Sequence, residues 1–228
     1  MRSAAEGFDV ALVEIGGTIG DYENMPFLFA IKGLEREIGE ANIQYVLVSY
    51  MPVPGHINEM KTKPTQHAVK LLSEHGMVPD FIICRAIGPL DNVRKRKIEV
   101  FANISADRII SAPDVDSIYQ VPLEYEKDDL GQKVLDQLGL TKKQEPDWDR
   151  WRELLDRVRH PGHRVRVAMV GKYVGIGDYE LTDSYISVNQ SLEHAGASLD
   201  CEVEICWIDS RDLEDADVDE VLSGYDGL

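Results

Sequence analysis

Residues 43–84 read "IQYVLVSYMPVPGHINEMKTKPTQHAVKLLSEHGMVPDFIIC", and the order of the patterns in this stretch decides the fold. Ile43–Tyr50 is β-branched and aromatic, which predicts a strand, and the short apolar run Phe81–Cys84 predicts a second, buried strand. Between them, Pro64–His75 has apolar residues at helical spacing, with proline in the first turn and Gly76 just past the end. Strands that alternate with helices in this way predict an α/β fold with a mainly parallel sheet.

The same alternation continues on both sides of this stretch. Upstream, Phe8–Ile15 is predicted to be a buried strand, and Pro26–Ile38 a helix that stops at Gly39. Downstream, the predicted elements are a helix over Val93–Asn103 capped by Asp91 or Asn92, a strand over Arg108–Ser111, and an amphipathic helix over Glu126–Leu138 that ends at Gly139.

A change of composition after residue 140 predicts a second domain. Residues 141–164 are polar, rich in Arg and Trp and contain prolines, which is typical of an interdomain linker, with one short helix over Asp147–Arg159. The runs "VRVAMVGKY", "LTDSYISVNQSLEHAG" and "CEVEICWID" then predict a strand, a helix and a strand in residues 165–228. Because both domains look incomplete against a doubly wound sheet, we expect the sequence to be an internal segment of a longer protein.

The charge balance excludes some functions. The 228 residues contain 24 Lys and Arg against 41 Asp and Glu, a formal net charge of −17, which argues against binding to nucleic acid or to an anionic membrane surface. Eleven of the acidic residues lie between Asp200 and Leu228, where Arg211 is the single arginine or lysine. Such an excess of acid is typical of a surface adapted to high salt, so we hypothesise a halophilic source.

The remaining bulk features indicate a cytoplasmic protein. No apolar run reaches the ~18 residues of a membrane span, and the N-terminus lacks the apolar core of a secretory signal. The three cysteines, Cys84, Cys201 and Cys206, form no C-x-x-C pair. This sparse set predicts reduced thiols and argues against a disulfide framework or a zinc site.

A carboxylate lies at the end of the first predicted strand. Ligands of parallel sheets bind at the carboxyl ends of the strands, where Glu14 is followed at once by Gly16 and Gly17. Mg²⁺ prefers one or two carboxylates together with water and phosphate oxygens, and the glycines would let a ligand approach the backbone closely. The alternative is a buried glutamate that pairs with a lysine before a tight turn.

Cations follow the second and third predicted strands. Lys61, Thr62 and Lys63 stand directly before a helix, where free backbone N–H groups attract anions, although a solvated lysine pair is the alternative. The run Arg94–Lys97 holds four cations, of which at most two can share a helix face. The run is either a solvated basic face or a source of one further phosphate contact, for which Lys97 is the candidate. No G-x-x-x-x-G-K-[ST] motif occurs. With Glu14, these residues predict a nucleotide-binding α/β enzyme that uses Mg²⁺.

Six stretches resemble the CTP synthase family, in the same order and at similar separations: "EIGGTIGDYENMPFLFAI", "KTKPTQHAVK", "PDFIICR", "RKIEVFANI", "DVDSIYQVP" and "VAMVGKY". The resemblance covers nearly the whole chain, and "GGTIGD" together with "KTKPTQH" is highly specific. It implies part of a P-loop-type amidoligase domain with a parallel sheet in residues 1–140, a linker in 141–164, and the start of a class I glutaminase domain in 165–228.

The resemblance also implies a reaction. In this family ATP phosphorylates the 4-oxygen of UTP, and ammonia released from glutamine in the other domain displaces the phosphate to give CTP. The family requires Mg²⁺, is activated by GTP, is inhibited by CTP and forms homotetramers. We expect these 228 residues to be inactive alone, because the family's P-loop and its glutaminase cysteine are not among them. The alternative is a non-catalytic regulatory module that binds CTP or UTP; a dethiobiotin-type ligase is disfavoured by the second domain.

Site residues follow from the resemblance position by position. Glu14 matches the Mg²⁺-binding glutamate, and Lys97 a second triphosphate-binding lysine. Arg85 and Val115 match positions near the ATP adenine. Asp21, Tyr22 and Glu23 match the segment near the inhibitory CTP ring, where a carboxylate would accept from the amino group of CTP but not from the carbonyl of UTP. The loop implied to hold the UTP or CTP triphosphate comprises Lys61, Thr62, Lys63, Pro64, Thr65 and Gln66, with Lys63 also the candidate for a catalytic role.

Overall fold

The computed structural model of the chain describes residues 2–172, 175–176, 179–180, 185–214 and 216–228. The chain divides into two compact units, Met1–Glu145 and Pro146–Leu228, so the division falls inside the predicted linker. Each unit contains its own parallel strand pairing, which confirms the predicted α/β fold class.

The first unit is built on a three-stranded parallel sheet in the order β1-β2-β3. The strands are β1 (Val46–Tyr50), β2 (Phe81–Ala86) and β3 (Ile109–Pro113). The helices of this unit are α1 (Arg2–Ala5), α2 (Met25–Ile38), α3 (Lys63–Glu74), α4 (Asn92–Ala102), α5 (Val121–Glu126) and α6 (Leu130–Gln137), with 3₁₀ turns at Glu40–Asn42, Ala106–Arg108 and Ile118–Gln120.

One face of this sheet carries the main core. Leu47, Ile82 and Ile109 are neighbours across the three strands, and they pack with the buried residues of α3 and α4. Ile98 of α4 is fully buried there. Because α3 follows β1 and α4 follows β2, both helices begin at the carboxyl edge of the sheet, which is the edge where parallel α/β sheets bind ligands.

In the part of the chain that the structure describes, the opposite face is buried on β3 and on most of β2, but not on β1. On this face Ile83, Ile110 and Ala112 are buried and pack with Tyr125 of α5 and Leu130 of α6. On β1, in contrast, Val48 and its neighbours on the same face are exposed.

The helix predicted over Glu126–Leu138 is wrong in its extent, because the chain forms two shorter helices, α5 and α6. Asp129 between them has a left-handed φ of 52°, which interrupts a helix. The preceding Asp128 accepts from the backbone N of Ser111 at 2.9 Å and from Lys95 Nζ at 3.2 Å. These two bonds fix the interruption against β3 and α4.

The strand predicted over Phe8–Ile15 is also wrong, since no regular strand forms there. Its apolar side chains are largely exposed, Leu12 at 95%. A strand needs a neighbour to bond its backbone, and among the described residues β1 pairs with β2 alone. The segment therefore has the side chains of a buried strand but lacks the partner that would bury them.

The second unit contains α7 (Trp148–Arg159), β4 (His163–Gly171), β5 (Gly175–Ile176), β6 (Tyr179–Glu180), α8 (Ile186–Leu199), β7 (Cys201–Asp209) and α9 (Val218–Leu222), with a 3₁₀ turn at Ser210–Leu213. β4 and β7 pair in parallel over nine residues, and β5 and β6 form a small antiparallel pair. A Cβ at Gly196 of α8 would lie 2.6 Å from the carbonyl oxygen of Cys201, so only glycine allows this close packing of helix on strand. The start of the helix predicted from Leu181 lies outside the described residues.

None of the helices in the described residues is both long enough and apolar enough to cross a membrane.

Candidate functional site

The carboxyl edge of the first sheet brings together the cations that the sequence singled out. The N-termini of α3 and α4 lie on the same face of the sheet, because both helices pack into the core on that face. Lys61 and Lys63 stand at the start of α3, and Arg94 and Lys97 lie in the first turns of α4. The loop before α3 is closed by the backbone N of Lys61, which donates to Pro52 O at 2.9 Å.

The start of α3 offers backbone donors as well as charge. Thr62 is the N-cap residue, and its side chain makes no capping bond, so the N–H groups of the first turn have no acceptor from the helix or the cap. Pro64 is exposed at the first turn, where its missing N–H costs no helical bond. Lys63 is exposed and forms no ion pair with any described residue.

Two members of the predicted triphosphate loop face inward. Thr65 is fully buried, and its Oγ1 lies 2.9 Å from Ser49 Oγ on β1. Gln66 is half-buried, and its Nε2 donates to Thr62 Oγ1 at 3.3 Å. The Thr65 hydroxyl thus helps to hold α3 on β1, and the Thr62 hydroxyl accepts a bond from within the first turn of α3. A contact from Thr65 to a ligand would therefore come from its backbone N–H. Their ligand roles stay predictions.

The four consecutive cations of α4 point in different directions. Arg94 Nη1 pairs with Asp91 Oδ2 at 2.6 Å, Lys95 Nζ with Asp128 Oδ1 at 3.2 Å, and Arg96 Nη1 with Glu99 Oε2 at 2.5 Å. Lys97 is exposed and forms no ion pair among the described residues. The one cation of the run without a partner there is therefore Lys97, the residue predicted to contact phosphate.

Glu59 links the two helix starts, and the sequence analysis did not single it out. Its Oε2 lies 2.7 Å from Lys61 Nζ, and its Oε1 lies 3.1 Å from Arg94 Nη2. The hydrogen bond from Lys61 lowers the pKa of the Glu59 carboxyl, and the charges of Arg94 and Lys97 add to the effect. The signal available in the sequence was an acid two residues before Lys61, in a loop otherwise suited to an anion.

Asp91 completes the anchoring of Arg94. Its Oδ1 accepts from the backbone N of Arg94 at 2.8 Å, which makes it the N-cap of α4, one of the two caps that the sequence predicted. This backbone bond is the main cause of the lowered pKa of the Asp91 carboxyl. Cap and ion pair together hold the Arg94 guanidinium beside Glu59.

Glu14 is exposed and forms no hydrogen bond or ion pair with any described residue. No group of three or more His, Cys, Asp or Glu side chains in the described part of the chain could hold a metal ion. A free carboxylate nevertheless suits Mg²⁺, because Mg²⁺ takes one or two carboxylates and completes its shell with water and phosphate oxygens. The donor set fits a metal that arrives with a nucleotide.

The loop after Glu14 folds on itself. Asp21 Oδ2 accepts from the backbone N of Thr18 at 2.8 Å, and Asn24 Nδ2 donates to Thr18 O. Gly17 has a φ of 84°, a conformation that favours glycine. Tyr22 is 89% exposed and Glu23 is exposed, so both side chains face solvent on a fixed turn.

Arg85 and Val115 lie at the carboxyl ends of β2 and β3. Arg85 Nη2 is 3.8 Å from Asp114 Oδ1, and Val115 is half-buried one residue further on. Arg85 alternates with Cys84 along β2, so it lies on the face opposite α3 and α4. Arg85 and the predicted triphosphate loop therefore lie on opposite sides of one sheet edge.

All three cysteines are free thiols. Cys84 is buried between β1 and β3, and burial raises the pKa of its thiol to about 12. A thiol with such a pKa stays protonated near neutral pH and is therefore a poor nucleophile.

Comparison with known proteins points to one family. The family profile described as CTP synthase N-terminus matches residues 1–140. The CTP synthase of Methanocaldococcus jannaschii is 42% identical over 225 residues, which cover 99% of this chain and 41% of that protein. The CTP synthase of Synechococcus sp. (strain ATCC 27144) is 43% identical over 220 residues, and that of Thermococcus gammatolerans is 42% identical over 228 residues. The chain spans about two fifths of the length of these curated relatives.

Proposed function

The chain belongs to the CTP synthase family, and from this premise we propose that it carries the triphosphate-binding part of a CTP synthase. The observation that carries the proposal is the convergence of Lys61, Lys63, Arg94 and Lys97 at two neighbouring helix starts, in a chain whose net charge is −17. Exposed lysines without partners at the positive end of a helix are unfavourable unless an anion joins them.

The proposed reaction is the ATP-dependent amination of UTP with glutamine-derived ammonia, the final step of CTP synthesis. The 4-oxygen of uracil is a poor leaving group, and transfer of the ATP γ-phosphoryl group to it creates a good one. Attack of ammonia at C4 then releases phosphate and gives CTP, while ATP leaves as ADP. Throughout the reaction, the lysines of α3 and α4 would hold the UTP triphosphate in place. They would contribute by positioning the substrate and by stabilising its negative charge.

Among the site residues, we propose that Lys63 has the most direct part. It is exposed at the first position of α3 and has no competing carboxylate among the described residues. Lys97 would bind the same triphosphate from α4. Glu14 would hold Mg²⁺, which when bound neutralises phosphate charge during the transfer.

On the other side of the sheet edge, Arg85 and Val115 would lie near the adenine of ATP. Asp21, Tyr22 and Glu23 would contact the ring of inhibitory CTP, because their side chains are presented to solvent on one turn. Activation by GTP, assembly into a homotetramer, a glutaminase role for residues 165–228, a cytoplasmic location and a halophilic source stay predictions.

The experiment that tests the proposed function follows CTP formation by the intact protein with UTP, ATP, Mg²⁺ and either glutamine or ammonia. We expect Lys63→Ala to lower kcat/KM for UTP by about tenfold to a hundredfold, since a hydrogen bond to a charged group contributes roughly 1.5–3 kcal/mol. Lys70→Ala, at the other end of α3 and paired with Glu74, is the matched control. If the protein binds CTP but forms no CTP under any of these conditions, the result would instead favour the non-catalytic regulatory module.

A further inference from the structure

The carboxylate of Glu59 lies where two cations of the proposed phosphate site meet. It bridges Lys61 Nζ at 2.7 Å and Arg94 Nη2 at 3.1 Å, and so joins the loop before α3 to the first turn of α4. A carboxylate resembles two oxygens of a phosphate group as a partner for cations, because both accept charge-assisted hydrogen bonds from Lys and Arg. Glu59 therefore makes the contacts that an anionic ligand would make.

Arg94 is fixed in this position independently of Glu59. Its Nη1 pairs with Asp91 at 2.6 Å, its backbone N donates to the same carboxylate, and its side chain is only 21% exposed. Its Nε is buried without a hydrogen-bond partner. Because a guanidinium held from one side keeps its remaining N–H groups aimed in fixed directions, Nη2 would still point at the position of the Glu59 carboxylate if that carboxylate left.

Glu59 itself can leave at low cost. Its side chain is 40% exposed, and it stands in the loop before α3 outside any helix or strand. Exposed ion pairs of this kind contribute little to stability, so their loss is easily offset by a ligand with more charge. A triphosphate also could not share the site with Glu59, since like charges at this distance repel.

Building on the proposed function, we propose that Glu59 is an internal counter-anion, which occupies the triphosphate position between Lys61 and Arg94 until a nucleotide triphosphate displaces it. Arg94 is a further phosphate-binding residue, which the carboxylate keeps in position for the ligand. Glu59 also sets the affinity of the site, because every incoming triphosphate competes with it. Lys63 and Lys97, which have no carboxylate partner among the described residues, would make the first contacts.

Titration of the intact protein with UTP and with inorganic tripolyphosphate tests this inference. Glu59→Gln removes the charge but keeps the size, and we expect it to tighten the binding of both ligands by about threefold to tenfold, which corresponds to losing the competition of two exposed ion pairs. Glu74→Gln, which removes a carboxylate paired with Lys70 at the other end of α3, should leave both affinities unchanged.

A second variant pair tests the role of Arg94. Arg94→Ala should weaken both ligands by about tenfold, and Arg94→Lys should restore part of the loss. Arg96→Ala, on the same helix and paired with Glu99, is the control that should bind normally. Circular dichroism and the unfolding midpoint of each variant show whether it is folded.

The outcomes separate this inference from the proposed function. If Glu59 only holds Lys61 and Arg94 in position, Glu59→Gln should weaken binding or leave it unchanged. The inference then fails, even if Lys63→Ala shows that UTP binds at this site. If tripolyphosphate binds and Glu59→Gln tightens it while UTP does not bind, the inference holds and the proposed function fails. If neither ligand binds to the wild type or to Glu59→Gln, both fail.

Discussion

Among single residues, Arg94 to Lys97 show how a fold gives different roles to identical charges. The sequence predicted that few of the four could share a face, and in the structure each of the first three meets its own carboxylate. Which carboxylate each one meets depends on contacts between residues far apart in the chain, such as Lys95 with Asp128. Residue types could identify the cations, but they could not identify which of them pairs with which carboxylate, nor that Lys97 pairs with none in the described part of the chain.

Glu59 was missed for the same reason. Nothing in its immediate neighbours distinguishes it from a solvated loop acid, and only the packing of α4 against α3 brings Arg94 to it. Local patterns predict which residues can bind an anion, whereas tertiary contacts decide which of them already hold one.

The pKa of Cys84 leads to a prediction about alkaline stability. Burial raises the thiol pKa from 9.0 to about 12, so the folded protein keeps the proton at a pH where the unfolded chain releases it. The free energy of unfolding should therefore fall as pH rises above about 9, by up to roughly 1.4 kcal/mol per pH unit, until the folded thiol also ionises near pH 12.

Urea unfolding at about pH 8 and about pH 10 measures this effect. We expect Cys84→Ala to lose roughly 1 kcal/mol less than the wild type between these two values. Equal losses in the wild type and Cys84→Ala would show that the thiol is not buried in its protonated form.

Among the elements, local chemistry predicted helix ends better than strand pairing. Gly39 ends α2 with a φ of 91°, Gly76 follows α3 with a φ of 73°, and Asp91 caps α4, all as the sequence indicated. These signals are local, because a cap depends on a few neighbouring residues. Phe8–Ile15 was predicted wrongly because a strand also needs a neighbouring strand to pair with. The helix break at Asp129 was missed because contacts with distant residues impose it.

Hydrogen exchange measures whether Phe8–Ile15 is unpaired, as the structure has it. Among the described residues no backbone bond joins residues 9–15 to a strand, so the amides of Val10–Val13 should exchange rapidly. The amides of Ile82–Cys84 lie in the central strand, and their exchange rates should be lower by a factor of roughly a thousand or more. Protection of Val10–Val13 comparable to that of β2 in the intact protein would mean that the strand forms after all, as the sequence predicted.

At the scale of the whole molecule, the large negative net charge should make stability depend on salt concentration. A net charge of −17 favours unfolding through self-repulsion, and salt screens this repulsion over about 10 Å at 0.1 M and about 3 Å at 1 M. We expect the unfolding temperature to rise by about 4 °C or more between 0.1 M and 3 M KCl, which corresponds to roughly 1–2 kcal/mol for a chain of this size.

Thermal scans in KCl and in NaCl at matched concentrations separate screening from specific binding of K⁺. Equal rises in the two salts support screening. An unfolding temperature that stays constant or falls with salt would remove the halophilic hypothesis.

At the scale of the whole first unit, the helices after β1 and β2 are proposed to bring separate cations to one nucleotide triphosphate. Calorimetric titration of the intact protein with UTP and Mg²⁺ measures whether these cations bind the triphosphate. We expect Lys63→Ala and Lys97→Ala each to raise the Kd for UTP about tenfold to a hundredfold, and Lys70→Ala to leave it unchanged. Wild-type affinity in both Lys63→Ala and Lys97→Ala would show that the triphosphate binds elsewhere.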